Sequence, residues 1–387
     1  MISLYFHIPF CTKKCPYCHF YVVPNRLSYH EVLTEGLFLE WEKQLPLLQG
    51  HTIASIYFGG GTPTLFAPSG IEKVLQMIQK SGITLSPSCE ITIEGNPEEG
   101  SLSLFQDLRS LGINRLSLGI QSLDDRSLQT LERTHSAKKA KETLLTAEAG
   151  GFQNISIDLM YDLPDQTDAS WQYTLSQLSH IPFQHLSLYN LTIEPHTAFD
   201  KKKENLTFPS PHVSLNMLHT AVETLENLGL ERYEISAFAK PGYKSNHNLG
   251  YWMARPFLGF GPSACSFWEK KRFRNTSSLQ KYTEKLKKGL SPIEFEEELP
   301  YPQNIKEQFA VRLRLLEGAP WDPTFPKEMK QTIEKLIGQN LLKQVKQPHL
   351  NFGHIHPKTQ TPPETQSFIQ LTEKGILFHD TVAAEIV

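Results

Sequence analysis

Short apolar runs alternate with longer amphipathic segments along the first half of the chain. Runs rich in aliphatic and β-branched residues predict six strands, at 4–8, 53–58, 90–94, 115–119, 155–160 and 185–190. Helical periods lie between them, at 30–44, 71–79, 123–133 and 138–149. Strands and helices that alternate at this spacing predict parallel βαβ units. We therefore expect an α/β fold with a partial (β/α)6 barrel of the TIM type.

The sequence changes character after about residue 282. Helical periods recur at 305–316 and 327–337, a polar stretch with four prolines at 347–366 predicts a loop, and 371–387 predicts a turn, a short strand and a helix. We therefore predict two domains. Residues 1–282 hold the barrel and an extension, and residues 283–387 form a small, winged-helix-like α/β domain.

Composition narrows the class of protein. The chain has 387 residues, 39% of them hydrophobic, and a net charge of -3, so no overall positive charge favours nucleic acid. No apolar run approaches the ~18 residues of a membrane span. The basic cluster Lys201–Lys203 predicts a solvated face. The absence of a signal-peptide pattern at the N-terminus and the odd number of cysteines favour a cytoplasmic protein, with peripheral membrane association left open.

Three cysteines lie in one short loop after the first predicted strand. Cys11, Cys15 and Cys18 read C-T-K-K-C-P-Y-C. Thiolates select iron–sulfur clusters, zinc or copper over hard cations. Three thiolates can hold three irons of a [4Fe–4S] cluster and leave the fourth iron open for a ligand. The spacing therefore favours an open cluster.

Two alternatives to the cluster stay open on the spacing alone. His7 and His19 flank the loop and could complete a zinc site, since structural zinc usually takes four protein ligands. The three thiols could also be inert. A disulfide framework does not fit a large chain with five cysteines and no secretory segment.

Polar residues and glycines follow several of the predicted strands. The sequence G-G-G-T-P, which includes Gly61 and Thr62, ends the second strand, and Glu94 ends the third. Gln121 follows the fourth strand, Arg133 ends the next helix, and Asp158 interrupts the fifth strand. Barrel active sites form at the carboxyl ends of the strands, so we expect these side chains to converge there. Each could instead be a cap, a surface pair or a satisfied core group.

At this point the sequence resembles a known family. H-I-P-F-C-T-K-K-C-P-Y-C, G-G-G-T-P, E-G-N-P, L-G-I-Q-S and I-D-L-M-Y-D-L-P occur in this order. The set is similar to the radical S-adenosylmethionine (SAM) superfamily, in the HemN/HemW branch of coproporphyrinogen III dehydrogenases and heme chaperones. The resemblance covers about residues 1–275 strongly and the C-terminal domain more loosely.

The resemblance implies cofactors and roles. A [4Fe–4S] cluster on Cys11, Cys15 and Cys18 would bind SAM through its open iron, and one-electron reduction would release a deoxyadenosyl radical. The implied SAM ligands are Tyr5 and Tyr17 near the cluster, Gly61 and Thr62 at the methionine portion, Glu94 at the ribose, and Gln121, Arg133 and Asp158 completing the pocket or contacting a second SAM.

Two features separate the branches. The dehydrogenases carry a fourth cysteine two residues after the third, where this chain has Phe20. Residues 247–252 read H-N-L-G-Y-W, which resembles a heme-binding motif of the chaperones and implies His247 as the heme-iron ligand, with Asn248, Tyr251 and Trp252 around the heme. A satisfied histidine in an aromatic core is the alternative.

The resemblance favours a heme chaperone that holds a cluster, SAM and heme. Its partners would be a recipient hemoprotein such as a respiratory enzyme, an electron donor for the cluster, and a second copy of the chain in a homodimer. Nucleic acid is not expected. Cys265 stands where relatives often carry histidine, and it is a second candidate heme ligand. A coproporphyrinogen III dehydrogenase is the alternative function, and a zinc or nucleic-acid-binding protein is a third.

Overall fold

Six parallel strands form the centre of the main sheet. This computed structural model describes residues 1–348 and 365–387. The central strands are β1 (Ile2–Ile8), β4 (Thr52–Gly60), β5 (Thr84–Gly95), β6 (Arg115–Gln121), β7 (Ile155–Tyr161) and β8 (His185–Asn190), and they lie side by side in that order. The short strands β2 (Phe10–Cys11) and β3 (Val23–Pro24) pair with each other above β1. Each of the six strands predicted between residues 4 and 190 is present, and the α/β prediction is confirmed.

Helices connect the parallel strands, as right-handed βαβ crossovers require. They are α1 (Leu27–Leu48), α2 (Ser69–Lys80), α3 (Leu102–Ser110), α4 (Asp125–Thr130), α5 (Ala137–Ala149), α6 (Asp168–Ser176), α7 (Ala198–Lys202) and α8 (Pro211–Asn227). One continuous apolar core lies between sheet and helices, and its largest fully buried side chains include Trp171, Phe58 and Phe260. The sequence did not predict α3, α6 and α7.

Four further strands extend this sheet past β1. Strand β11 (Phe257–Phe260) pairs in parallel with β1, and β12 (Cys265–Trp268), β13 (Lys271–Asn275) and β14 (Ile293–Glu298) follow outward. Strand β9 (Glu231–Glu234) precedes β10 (Ala237–Ala239) in the chain, and β10 pairs with β8 in the antiparallel direction. Helices α9 (Asn246–Trp252) and α10 (Leu279–Lys287) complete this part of the chain.

The described chain separates into two compact units. The first holds residues 1–232, 236–247 and 256–297, and the second holds 233–235, 248–255 and 298–387. The domain boundary expected after residue 282 stays a prediction. The second unit contains α11 (Gln303–Arg312), β15 (Ala319–Pro320), α12 (Lys327–Gly338), β16 (Leu342–Pro348), β17 (Thr365–Leu371), α13 (Glu373–Leu377) and α14 (His379–Ile386), with β15, β17 and β16 in one antiparallel sheet.

One element of the second unit differs from the prediction. The sequence predicted a turn, a short strand and a helix over 371–387, whereas β17 is followed by the two helices α13 and α14. The Thr372 hydroxyl accepts a hydrogen bond from the Gly375 backbone at 2.9 Å, and this cap starts the first helix. None of the helices in the described residues combines the length and hydropathy that a bilayer crossing needs.

Candidate cofactor site

The cysteine loop leaves the carboxyl end of β1. Pairing of β2 with β3 closes the base of the loop, and the backbone N–H of Cys18 donates to the Cys15 carbonyl at 3.1 Å. The thiols of Cys11, Cys15 and Cys18 are free and half-buried. The sequence therefore folds into a loop that presents its three thiols at the end of the sheet where the parallel strands finish.

Two of these thiols resist ionisation. Burial raises the pKa of Cys11 to about 11, and the Thr62 hydroxyl, 3.7 Å from its Sγ, opposes this only in part. Burial also raises the pKa of Cys18. A thiol must lose its proton to bind a metal, so occupation of this loop by a cluster releases protons.

Asn96 joins three of the predicted motifs to the cysteine loop. Its Nδ2 donates to Thr62 Oγ1 at 2.9 Å, and its Oδ1 accepts from Nη2 of Arg133 at 2.8 Å. Arg133 also donates to the Gly119 carbonyl at 3.0 Å and to the Cys15 Sγ at 3.4 Å. The G-G-G-T-P, E-G-N-P and L-G-I-Q-S motifs therefore meet at the cysteines, as their positions after the strands predicted.

Arg133 is held by an acid behind it. The sequence predicted Arg133 at the end of a helix, but α4 already ends at Thr130. The Glu98 carboxylate lies 3.9 Å from its Nη2 and 3.0 Å from His135 Nδ1. Burial alone would raise the pKa of Glu98, but hydrogen bonds from His135 and Thr134 lower it to about 2. Glu98 therefore stays charged and fixes a guanidinium that can bind a ligand carboxylate bidentately.

Glu94 lies at the end of β5 with both carboxylate oxygens engaged. One accepts from the Tyr57 hydroxyl at 2.8 Å, and the other accepts from the Gly60 backbone N–H at 3.1 Å. Burial raises its pKa. A carboxylate oxygen has two acceptor sites, so each oxygen of Glu94 can still accept from a ligand hydroxyl.

Asp158 lies inside the sheet at the middle of β7. Burial raises its pKa to about 7, the charge of Glu94 adds to this, and a hydrogen bond from Ser187 opposes it. The nearby charge of Glu94 therefore makes Asp158 harder to ionise than an isolated carboxyl group. A ligand that donates hydrogen bonds here would stabilise their charged forms.

The G-G-G-T-P turn approaches the start of the cysteine loop closely, and glycine makes this approach possible. A Cβ on Gly61 would lie 2.5 Å from the Phe10 carbonyl oxygen, so any side chain there would push the turn away from the cysteine loop. The Gly61 N–H donates to the Ile8 carbonyl at 2.9 Å, and the Thr62 N–H donates to Phe10 at 2.7 Å. Gln121 ends β6 with a φ of 60°, in the left-handed region.

Aromatic residues line two sides of the loop. Tyr5 stacks on Tyr57 with 6.2 Å between ring centroids, and its hydroxyl lies 3.2 Å from His7 Nδ1. Tyr17 packs near Phe199 at 6.3 Å, and burial raises its pKa. Tyr17 therefore remains a neutral ring beside the cysteines.

The zinc alternative depends on His7 and His19. His7 is buried, its Nε2 lies 3.1 Å from the Tyr21 carbonyl, and burial lowers its pKa to about 4. His19 is exposed and stacks on Phe20 at 4.6 Å. Within residues 1–348 and 365–387, no three His, Cys, Asp or Glu side chains converge closely enough to hold a single metal ion.

The first residue of the H-N-L-G-Y-W motif lies deep in the sheet. His247 is 1% exposed, and its Nδ1 lies 2.9 Å from the Ser55 hydroxyl, which donates to Ser3 at 2.9 Å. Its backbone N–H donates to Glu90 at 2.9 Å. Ser3 and Ser55 come early in β1 and β4, so His247 lies toward the amino ends of the strands, opposite the cysteine loop.

The rest of the motif is partly exposed. Asn248, Tyr251 and Trp252 are half-buried. The Arg314 guanidinium lies 4.4 Å from the Trp252 ring centroid, which is a cation–π contact. The Trp252 indole N–H has no hydrogen-bond partner among the described residues. Cys265, the second candidate heme ligand, is exposed, and its pKa is raised by burial of the sulfur.

Sequence reasoning missed three residues that build the site. Asn96 was seen only as part of E-G-N-P, and neither Glu98 nor His135 was singled out. The spacing R-T-H at 133–135 and the acids directly after Asn96 were the available signals. Their partners come from different strand ends, so only the tertiary fold shows the connection.

Comparisons with known proteins agree with this geometry. The profile of the radical SAM superfamily matches residues 5–178. The heme chaperone HemW of Escherichia coli strain K12 is 30% identical over 382 residues, which is 97% of this chain and 96% of the relative. The mitochondrial radical S-adenosyl methionine domain-containing protein 1 of Danio rerio is 39% identical over 68% of this chain, and the match spans 59% of that protein.

A solved structure shares the whole fold. Coproporphyrinogen III oxidase (HemN) from Escherichia coli, described as a radical SAM enzyme, superposes with a TM-score of 0.81 at 23% identity, covering 99% of this chain and 89% of HemN. The fold and the three-cysteine loop are those of a radical SAM protein. The chain belongs to the radical SAM superfamily and, within it, to the HemN/HemW branch, in which it is similar along its length to the HemW heme chaperones.

Membership in the superfamily implies a [4Fe–4S] cluster and SAM. The residues present fit both groups. Three half-buried thiols lie in one loop, a fixed guanidinium and a buried carboxylate lie at neighbouring strand ends, and the turn at Gly61 has no room for a side chain of its own.

Proposed function

We propose that this protein is a radical-SAM heme chaperone that binds a [4Fe–4S] cluster, SAM and heme, and delivers heme to a hemoprotein such as a respiratory enzyme. The observation that carries the proposal is its similarity to HemW over 97% of the chain. A second observation supports it, since Phe20 occupies the position of the dehydrogenases' fourth cysteine and is 52% exposed.

Different residues of the site bind different parts of SAM. A bound cluster would supply an open iron for the amino and carboxylate groups of SAM and the electron that splits it. Arg133 orients the carboxylate, because Glu98 and Asn96 fix its guanidinium. Glu94 accepts hydrogen bonds from the ribose hydroxyls.

The remaining predicted residues complete the pocket. Gly61 and Thr62 line the methionine portion, and Tyr5 and Tyr17 cover the cluster side. Asp158 takes up or releases a proton near neutral pH according to what binds beside it. Gln121 closes the end of β6.

For heme we keep His247 as the proposed iron ligand, with Asn248, Tyr251 and Trp252 against the macrocycle. The imidazole is bonded to Ser55 through Nδ1 and is 1% exposed. Heme ligation through Nδ1 would require that hydrogen bond to break, and ligation at all requires the ring to become accessible. Slow heme uptake is therefore expected.

An anaerobic heme titration of the cluster-loaded protein, followed by its Soret absorbance, tests the proposal. His247→Ala should abolish saturable binding. His185→Ala is the matched control, because His185 is equally buried and its Nδ1 lies 2.8 Å from Ser156. Binding should survive in that control.

Each other result has a definite meaning. Absence of binding by the wild-type protein would remove the chaperone function. Equal binding by wild type and His247→Ala would keep heme but move its ligand, and Cys265→Ala would be the next variant.

The alternative is an oxygen-independent coproporphyrinogen III dehydrogenase. The 0.81 TM-score to HemN favours it at the level of fold only. Formation of protoporphyrinogen IX from coproporphyrinogen III in an anaerobic assay with SAM and a reductant would establish it, and absence of product would reject it.

A further inference from the structure

We propose that a lysine-rich face beside the cysteine loop is the docking surface for an acidic one-electron carrier protein. This lysine face consists of Lys13, Lys14, Lys201, Lys202 and Lys203. The inference rests on the proposed cluster at Cys11, Cys15 and Cys18, because that cluster is what the carrier would reduce.

The fold brings two separate runs of lysine together. Lys13 and Lys14 lie inside the cysteine loop, between Cys11 and Cys15, and both are exposed. The other three lysines lie in and directly after α7. Phe199 of that helix packs near Tyr17, and its backbone N–H donates to the Pro16 carbonyl at 2.9 Å. Helix α7 is therefore fixed against the cysteine loop.

One acid between the two runs shows how close their charges are. The Glu132 carboxylate forms an ion pair with the Lys13 ammonium, with 2.9 Å between Oε2 and Nζ. Its pKa is lowered by Lys13 first, and the charge of Lys202 lowers it further. Glu132 therefore lies within the field of both runs of lysine, which makes them one charged surface.

The lysine face keeps an excess of positive charge. Lys13 pairs with Glu132, and Lys203 pairs with Asp200 at 3.5 Å. Lys14 donates to the neutral carbonyl of Phe20 at 3.1 Å. Within the described residues, no salt bridge neutralises Lys14, Lys201 or Lys202.

This distribution has a consequence for electron delivery. The whole chain carries a net charge of -3, so an acidic carrier is repelled on average. A local positive face next to the cysteines reverses that repulsion and orients the encounter toward the cluster. Steering of this kind raises association rates by ~10- to 1000-fold and weakens steeply with salt.

The electron balance of the step is simple. A flavin hydroquinone anion in the carrier would be oxidised to the neutral semiquinone. The released electron would reduce the cluster from the 2+ to the 1+ state. No bond forms or breaks, and no proton needs to cross the interface.

The test uses the cluster-loaded full chain and reduced flavodoxin, an acidic flavin carrier, in anaerobic stopped flow. Lys201→Glu combined with Lys202→Glu should lower the second-order rate of cluster reduction about tenfold or more at low ionic strength. Dithionite, a small reductant, should reduce both proteins at the same rate. Calorimetric binding of oxidised flavodoxin to the cluster-free chain should weaken in parallel.

The matched control reverses two exposed lysines at the other end of the strands, Lys80→Glu with Lys288→Glu. Lys80 ends α2, and Lys288 follows α10 directly. This control variant should change the second-order rate of cluster reduction by less than about twofold.

Three results would overturn the inference. They are equal rates in the lysine-face variant and the wild type, equal losses in both double variants, and failure of both flavodoxin and an acidic [2Fe–2S] ferredoxin to reduce a wild-type cluster that dithionite reduces. A heme titration of the same variant separates this inference from the proposed function. Loss of carrier docking with intact heme binding supports docking alone, and carrier docking without heme binding rejects only the chaperone.

Discussion

The two ends of the parallel strands treat buried polar side chains differently. Toward the amino ends, His247 is bonded to Ser55, and His185 to Ser156. Glu94 at the carboxyl end of β5 and Asp158 at the middle of β7 are half-buried acids whose pKa values are raised. The histidines are paired with neutral hydroxyls, whereas the two acids have raised pKa values even though they accept hydrogen bonds from Tyr57, Gly60 and Ser187. A ligand with further donors would lower those pKa values.

The difference teaches how to interpret a polar residue inside such a sheet. A buried polar group with a protein partner is explained by the fold. A buried carboxylate whose neutral form is favoured, with acceptor sites left over, points to a missing ligand. By this criterion we propose the carboxyl ends as the functional end, and His247 has a structural role through its contact with Ser55.

The largest expected effect is at the carboxyl ends. Cys15→Ser should reduce the iron and sulfide content of the reconstituted protein to background, because two thiolates cannot hold a cluster that leaves one iron open. Metal analysis and visible absorbance measure this. Cys89→Ser and Cys265→Ser are matched controls and should retain the cluster. A fully loaded Cys15→Ser protein would refute the site.

Arg133→Lys should weaken SAM binding by about tenfold or more while the cluster remains. Lysine cannot reproduce the planar fork that contacts Asn96, Gly119 and a ligand carboxylate together. Equilibrium dialysis of SAM against the cluster-loaded protein measures the change. The exposed Arg126→Lys on α4 should bind as the wild type does, and equal affinity of Arg133→Lys would contradict the assignment.

At the amino ends the expected effect is on stability. His247→Ala should lower the free energy of unfolding by about 2–3 kcal/mol, because it removes one of the two hydrogen-bond partners of Ser55 and opens a cavity. His185→Ala should cost a similar amount. Urea unfolding of the cluster-free protein measures both. A His247→Ala variant as stable as the wild type would show that the contrast between the two ends is wrong.

The smallest effect is a change in pH dependence. Burial raises the pKa of Asp158 from 3.8 to about 7, so the folded protein keeps a proton that the unfolded chain has lost. The stability from this group is complete below pH 3.8 and is lost as the pH rises through about 7. Asp158→Asn should lower the slope of this decline by at most about 1.4 kcal/mol per pH unit between pH 5 and 7.

Urea unfolding at a series of pH values gives the slope of the free energy of unfolding against pH. Part of the decline should persist in Asp158→Asn, because burial also raises the pKa of Glu40 to about 7. Identical slopes for wild type and Asp158→Asn would contradict the assignment.

The sequence predicted the sheet well because its strands are continuous apolar runs. The charges of Glu94 and Arg133 both act on Asp158, so the three side chains lie near one another, and their roles in a ligand site stay predictions. The sequence prediction failed at 371–387, where the apolar Ile376, Leu377 and Phe378 suggested a strand. The Thr372 cap makes that segment helical instead.

Two features of the site could not be predicted from local patterns. The role of Asn96 depends on Thr62 and Arg133, which come from different strand ends. The burial of His247 depends on Ser55, 192 positions away in the sequence. Both contacts exist only after the strands have assembled.

The protonated thiols of the cysteine loop matter most before the protein is mature. With a pKa of about 11, Cys11 carries little thiolate near neutral pH, and the thiolate is the form that reacts with oxidants and attacks disulfides. Without the cofactor, Cys11 should therefore react more slowly with oxidants than an ordinary exposed cysteine. Insertion of the cofactor must remove those protons, so maturation is an acid-producing step that alkaline conditions favour.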